Sequence, residues 1–325
     1  MAKGPHHATN PGPVGRIAVS SSHGPTCSPL RRRGALPTGD ALQVVIAGCG
    51  WLGEAVARRL LARGDRVTGI RSSPERAEGL RALGIEPLAL DLADPAAVAR
   101  LPRDTEAILA LQSARGGGAD AYRQAYVEAN RNLLAWSRLH PLRAFVCSGS
   151  TGIFEQRYGS DVDEETAPAP ATPTGRVLLE AERQLLEAAA AGIPARLLRL
   201  SGLYGPGRLW VIDRVASGAM TLGPGDGAHL NACHQDDAAL ALLAVLDRGT
   251  DGAIYHATDA HPMRRRDIIT FVAERLGLPL APPAAGAPPP APDRRIHGER
   301  TRARLGLDLL WPSLKEGLEP HLVRR

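Results

Sequence analysis

From Leu42 onward the chain alternates two kinds of hydrophobic pattern. LQVVIAGCG, residues 42–50, is a short apolar run ending in glycines, and EAVARRLLARG behind it places its apolar residues at helical spacing. RVTGIRS then reads as a second strand, RAEGLRALG as a helix with a glycine stop, and IEPLALDL as a third strand. AILALQS is a fourth, the long helical stretch DAYRQAYVEANRNLLAWSRL follows it, and RAFVCSGS is a fifth. GRVLLEAERQLLEAAAAG is helical again and leads into ARLLRLSGLYG, a sixth strand. Strands that alternate with helices of ten or more residues imply right-handed crossovers and a parallel sheet covered on both faces. The expected class is therefore α/β, a Rossmann-type doubly wound parallel sheet with a small C-terminal substrate-side lobe.

Beyond about residue 205 the rhythm weakens. DDAALALLAVLDRG predicts a helix capped by Asp236 or Asp237, GAIYHATD a short strand, and RRRDIITFVAERLGL another helix. PLAPPAAGAPPPAPD, residues 279–293, reads as an extended loop. Residues 1–41, rich in Pro, Gly, Ser and His and without period, are expected to be a disordered tail. Residues 42–204 form the expected dinucleotide-binding domain, with segments at about 230–260 returning to it, and 205–325 mostly the smaller lobe.

The net charge of +5 changes this picture little, because the tail carries Lys3, Arg16, Arg31, Arg32 and Arg33 against Asp40 alone and so supplies +4 of it. The body does not have the basic surface that nucleic acid would demand. No apolar run approaches the ~18 residues of a membrane helix. Cys27, Cys49, Cys147 and Cys233 make no CxxC pair and no metal-ligand cluster, which suits a reducing, cytoplasmic setting with no disulfide and no metal.

The strongest chemical signal is Gly48-Cys49-Gly50-Trp51-Leu52-Gly53 between the first strand and helix. Gly48 allows the tight turn, Gly50 lets backbone approach a pyrophosphate, and Gly53 lets the helix pack on the strand while its N-terminal N–H groups face the anion. At the end of the second strand, where an acid holds the ribose hydroxyls in NAD enzymes, stand Arg71, Ser72 and Ser73. A guanidinium pairs with a 2′-phosphate, so NADP(H) is the expected cofactor, with NAD as the second choice; Arg71 could instead stack on adenine or point to solvent. Asp91 and Leu92 end the third strand, placed to accept from the adenine amino group and cover its ring, although Asp91 also competes with Asp94 to cap the next helix.

The glycine turn, Asp91-Leu92, VCSGSTGIFE at 146–155, RLSGLYGPGR at 199–208 and HQDDAA at 234–239 together resemble the extended short-chain dehydrogenase/reductases, the NAD-dependent epimerase/dehydratase group. The resemblance spans about residues 43–322. The GxGxxG spacing and the closing RTRARLGLDLLWPSLKEGL are similar to an atypical branch of that group. It implies cofactor contacts at Gly48, Gly50, Trp51, Leu52, Gly53, Arg71, Ser72, Asp91, Leu92, Gln112 and Ser148. It also implies a reaction centre of a Ser or Thr, here Ser150, plus a Tyr-x-x-x-Lys helix whose lysine lowers the tyrosine pKa.

That helix departs from the family pattern. Thr174 stands where tyrosine belongs and Leu178 where lysine belongs, and with only Lys3 and Lys315 in the chain no register restores the pair. A threonine hydroxyl is far too weak an acid to replace a phenol. Substitutes are Tyr204 beyond the sixth strand, Tyr158 with Asp161, Asp163, Glu164 and Glu165 on a loop, Tyr126 with Asn130 one helical turn away, and His234. Arg176 and Arg199 could reach ribose or phosphate, or pair with glutamates. Two functions compete. One is an NADP(H)-dependent oxidoreductase or epimerase with a rearranged site and an unidentified small-molecule substrate. The other is a catalytically silent dinucleotide-sensing or regulatory protein, which loss of both Tyr and Lys favours. Family members often pair through the helices at residues 119–139 and 175–191, so a homodimer is expected.

Overall fold

Gln43–Ala47, every residue of it buried, forms the central strand β1. Its side chains alternate between two cores: Val44 and Ile46 join Leu60, Leu198 and Leu242, while Val45 and Ala47 join Leu133, Phe145 and Leu185. A strand covered on both faces needs no polar positions, which is why the run reads as continuously apolar. The computed structural model describes residues 41–114, 116–280 and 292–322. The expected disordered tail and most of the Pro-rich stretch lie outside the described residues.

Six further strands complete the sheet: β2 Arg66–Arg71, β3 Glu86–Ala89, β4 Ala107–Ala110, β5 Ala144–Ser150, β6 Ala195–Leu200 and β7 Ile254–Ala257. All pair in parallel, in the order β7-β6-β5-β4-β1-β2-β3. The chain is thus the doubly wound α/β sheet its sequence implied. Winding reverses after β3, where the chain crosses to β4 on the other side of β1. The crevice beyond the carboxyl ends of β1 and β4 is the switch point at which such sheets bind ligands.

Helices α1 Trp51–Ala62, α2 Pro74–Glu78 and α3 Pro95–Val98 follow the first three strands. Helix α4 starts as Gly118–Tyr122, passes through a π-wound segment at Arg123–Glu128 and continues as Ala129–Leu139; α5 is Pro173–Ala190. The lobe adds α6 Trp210–Ala216, and α7 Gln235–Arg248 returns to the sheet. Last come α8 Arg265–Leu276, α9 Glu299–Leu305 and α10 Leu314–Leu318. Residues of α1 and α7 fill one face of the sheet, those of α4 and α5 the other, and α6, α8 and α10 share a third core around Val211, Ile268 and Leu314.

The GAIYHATD strand, within the segment expected to return to the dinucleotide-binding domain, lies at the edge of the main sheet, where Ile254–Ala257 pairs with Leu197–Leu200. One local expectation is corrected. Neither Asp236 nor Asp237 caps α7. His234 does, its Nδ1 accepting the Asp236 backbone N–H at 3.1 Å, while both Asp237 oxygens accept backbone N–H groups from Leu310 and Trp311. Distant chain segments thus take the carboxylate that short-range capping rules assign to the helix.

Candidate functional site

The glycine turn joins β1 to α1 and is shaped by contacts no side chain would permit. Gly48 has φ +83°, and a Cβ there would sit 2.3 Å from the Gln112 backbone. A Cβ on Gly53 would press within 3.1 Å of Ile46 and of the Gly48 carbonyl, so α1 packs directly on the strand. Gly50 is different: its added Cβ meets nothing closer than the Gly48 oxygen at 3.9 Å and would project into open space above the turn. Helix α1 begins at Gly50 with no side-chain cap. Its first N–H groups therefore remain available to an anion. A cradle bare at Gly50 and tight at Gly48 and Gly53 fits a dinucleotide pyrophosphate.

The turn opens into a cleft of about 820 Å³ running over the carboxyl ends of the strands. Gly48, Gly50, Trp51, Leu52, Gly53, Arg71, Ser72, Asp91, Leu92, Gln112, Ser148, Ser150 and Leu178 all line it. The Arg71 guanidinium does not point freely to solvent. Its Nε donates to the Cys49 carbonyl at 2.7 Å and its terminal nitrogen pairs with Glu54, which anchors the guanidinium on the glycine turn. Asp94 caps α3 through the Ala96 N–H at 2.9 Å, and Asp91 accepts only from Ala93 at 2.9 Å. The charged residues lining the cleft are Arg71, Arg76, Arg208 and Asp91, three cations to one anion. Such a lining attracts phosphates.

At the other end Ser148 donates to the Ala110 carbonyl at 3.2 Å, and the Ser150 hydroxyl accepts the Gly152 N–H at 3.0 Å. Leu178 packs with Ile153, Phe154, Val162 and Ile296, so an apolar cluster occupies the place of the missing lysine. Gln112 donates to Asn130 at 2.6 Å, leaving its buried Oε1 without a partner, and Asn130 donates in turn to the Cys147 sulfur at 3.4 Å. Burial pushes the Cys147 thiol up to about 12, so it stays neutral. Tyr122 and Tyr126 line this end too, and burial pushes the Tyr126 phenol up to about 12.

Several candidates fall elsewhere. Tyr204 is fully buried, lies against Gly317 of α10 and donates to the Ser313 carbonyl at 3.3 Å; this phenol braces the lobe and does not line the cleft. Thr174 is half-buried near the Thr172 hydroxyl at 3.4 Å, also outside the lining. Asp161 pairs with Arg295 and His297, and Glu164 accepts from Thr301 at 2.6 Å, so the acidic loop ties down the C-terminal segment. His234, lowered to about 4 by burial, stays neutral between Tyr204 and Trp311. Arg199 is spent on Glu182 at 2.9 Å, and Arg176 donates to the Ala171 carbonyl at 2.7 Å. Arg76 and Arg208 were not singled out from the sequence. Arg208 sits over the Trp51 ring at 5.4 Å, and Trp51 donates to the Pro206 carbonyl at 2.9 Å, which closes the RLSGLYGPGR loop onto the glycine turn.

A family model for the NAD dependent epimerase/dehydratase family matches residues 44–257. The chain belongs to this family. Protein YeeZ of Escherichia coli (strain K12) is 31% identical over 278 residues, covering 83% of this chain and 96% of that protein. The 2-alkyl-3-oxoalkanoate reductase of Stenotrophomonas maltophilia (strain K279a) is 28% identical over 305 residues, 86% of each. A solved Methylobacillus flagellatus structure ascribed to the NAD-dependent epimerase/dehydratases superposes with a TM-score of 0.70 at 31% identity, covering 86% of this chain and 97% of that one. This chain's only lysines are Lys3 and Lys315, so it holds no Tyr-x-x-x-Lys sequence.

Proposed function

We propose that this epimerase/dehydratase family member binds NADP(H) in the cleft and acts as an oxidoreductase on a carbonyl compound. The observation that carries the cofactor reading is the bare Gly50 cradle opening into a lining of three arginines and one aspartate. Arg71 and Arg76 stand with Ser72 at the end where an adenosine 2′-phosphate would lie, and the lining there has no acid on β2 to hold two free ribose hydroxyls. Bound in this sense, the cofactor supplies hydride chemistry; the chain supplies an anchored guanidinium and the serine hydroxyls of β5. The similarity to an oxoalkanoate reductase supports a ketone as substrate.

Calorimetric titration tests the cofactor half: Arg71→Ala should weaken NADPH about tenfold, the loss of one charge-assisted contact, and NADH much less. Equal loss for both would overturn the 2′-phosphate role. Tight NADPH binding with no oxidation across a panel of ketones, aldehydes and quinones would overturn the oxidoreductase half.

A further inference from the structure

The family pattern leaves this site without a proton donor, yet the described residues of the cleft lining hold few groups able to give one. Arginines keep their protons, serine hydroxyls are too weakly acidic, and the remaining titratable groups are Asp91, Tyr122 and Tyr126. Asp91 follows β3, four strand spacings from β5 and Ser150, or roughly 19 Å across the sheet. That distance removes it from the reacting atoms.

The two tyrosines sit at the right end. Their rings tilt against each other with centroids 5.4 Å apart, and both pack on the cluster that contains Leu178, Ile153 and Phe154. The space an α5 lysine would use is thus walled by phenols from α4. Tyr126 lies within the π-wound segment Arg123–Glu128, an interruption of regular winding that occurs often at functional sites. Arg123 of that segment holds both Glu180 oxygens, at 2.6 and 2.7 Å, which fixes its position relative to α5 and Leu178. Of the pair, Tyr126 is the one carried by that segment, and it is one helical turn from Asn130, which donates to the Cys147 sulfur of β5 at 3.4 Å.

We propose that Tyr126, presented by α4, is the proton donor that replaces the tyrosine absent from α5 when a carbonyl is reduced; the proposal rests on the oxidoreductase reading above. Reduced nicotinamide would supply a hydride, and with it both electrons, to the substrate's carbonyl carbon. Its C=O π pair moves to oxygen, the oxygen takes the phenolic proton, and water reprotonates Tyr126. Burial lifts this phenol to about 12 and no lysine lowers it, so it is held protonated at neutral pH. It remains a better acid than the alcohol being formed, so proton transfer to the developing alkoxide is favourable.

The full chain, NADPH and ethyl 3-oxohexanoate as probe test this. Tyr126→Phe should lower kcat by about 100-fold or more, while NADPH affinity by fluorescence titration changes less than about twofold. Tyr158→Phe, on the exposed loop, should keep the wild-type rate. The wild-type reduction rate should stay flat from about pH 6 to 10, since the acid form is the active one, and ultraviolet difference titration should find the phenol missing from Tyr126→Phe still protonated at about pH 10. An active wild type matched by an equally active Tyr126→Phe overturns the donor assignment alone. A lost phenol already ionised at pH 7 overturns the donor assignment, since it has no proton to give. A wild type that binds NADPH but oxidises none with the probe overturns the reductase reading and the donor with it.

Discussion

At its Arg71 end the cleft is built chiefly on one βαβ unit: Gly48, Gly50, Gly53, Glu54 and Arg71 lie within 24 consecutive positions, with the Gln112 backbone behind Gly48 as the long-range contact. At its Ser150 end, residues from the ends of β4 and β5 and from α4 and α5 meet, Gln112 and Leu178 lying 66 positions apart. The first end is specified by local chain geometry. The second depends on how helices pack, and there Leu178 joins Ile153, Phe154, Val162 and Ile296 in an apolar wall. A family member can therefore keep its cofactor cradle intact while its reaction centre drifts, because the two ends draw on different elements.

The comparison breaks first at Gly48. Gly48→Ala places a Cβ on the Gln112 backbone at a left-handed φ and should cost about 2–4 kcal/mol of stability by urea unfolding. Stability within about 0.5 kcal/mol of wild type would show that the turn can relax away from β4. Gly50→Ala, two positions on at φ −90°, fits the backbone and meets only open space. It should leave stability nearly unchanged yet weaken NADPH by about tenfold, or 1.4 kcal/mol. If both variants lost stability alike, the division between fold glycine and cofactor glycine would fail. The smallest effect is expected at Tyr204→Phe, which forfeits one hydrogen bond to the Ser313 carbonyl, about 1 kcal/mol, with turnover unchanged. A large loss of turnover there would return Tyr204 to the reaction centre.

The parallel sheet and the glycine turn were legible because each is written in short-range pattern: an apolar run, three glycines, a helical period. The arginine anchoring was half legible. Arg71 announces itself by replacing an acid, but its Cys49 and Glu54 partners appear only when β2 lies beside the turn. Arg76 and Arg208 carried no signal, since each is one arginine among many until the fold aims it into the cleft. Tyr204 was misleading for the converse reason: its position just past β6 suggests the nicotinamide, but Gly317, more than a hundred residues away, opens the slot that draws the ring into the lobe. His234 escaped the usual capping residues because an imidazole nitrogen, not a carboxylate, accepts the helix N–H. Tyr126 was visible as one turn from Asn130; the π-wound segment that carries it was not.

The central claim is that one end of the cleft holds a phosphate-rich cofactor while the other presents a phenol from α4 in place of the lost pair. A crystal structure of the chain with NADP⁺ tests it most directly. The pyrophosphate should lie over Gly50, the adenosine phosphate against Arg71 and Arg76, and the nicotinamide beside Ser148 and Ser150 with the Tyr126 hydroxyl facing its C4 edge. A nicotinamide turned away from Tyr126, or a 2′-phosphate with no arginine within hydrogen-bond reach, would contradict it.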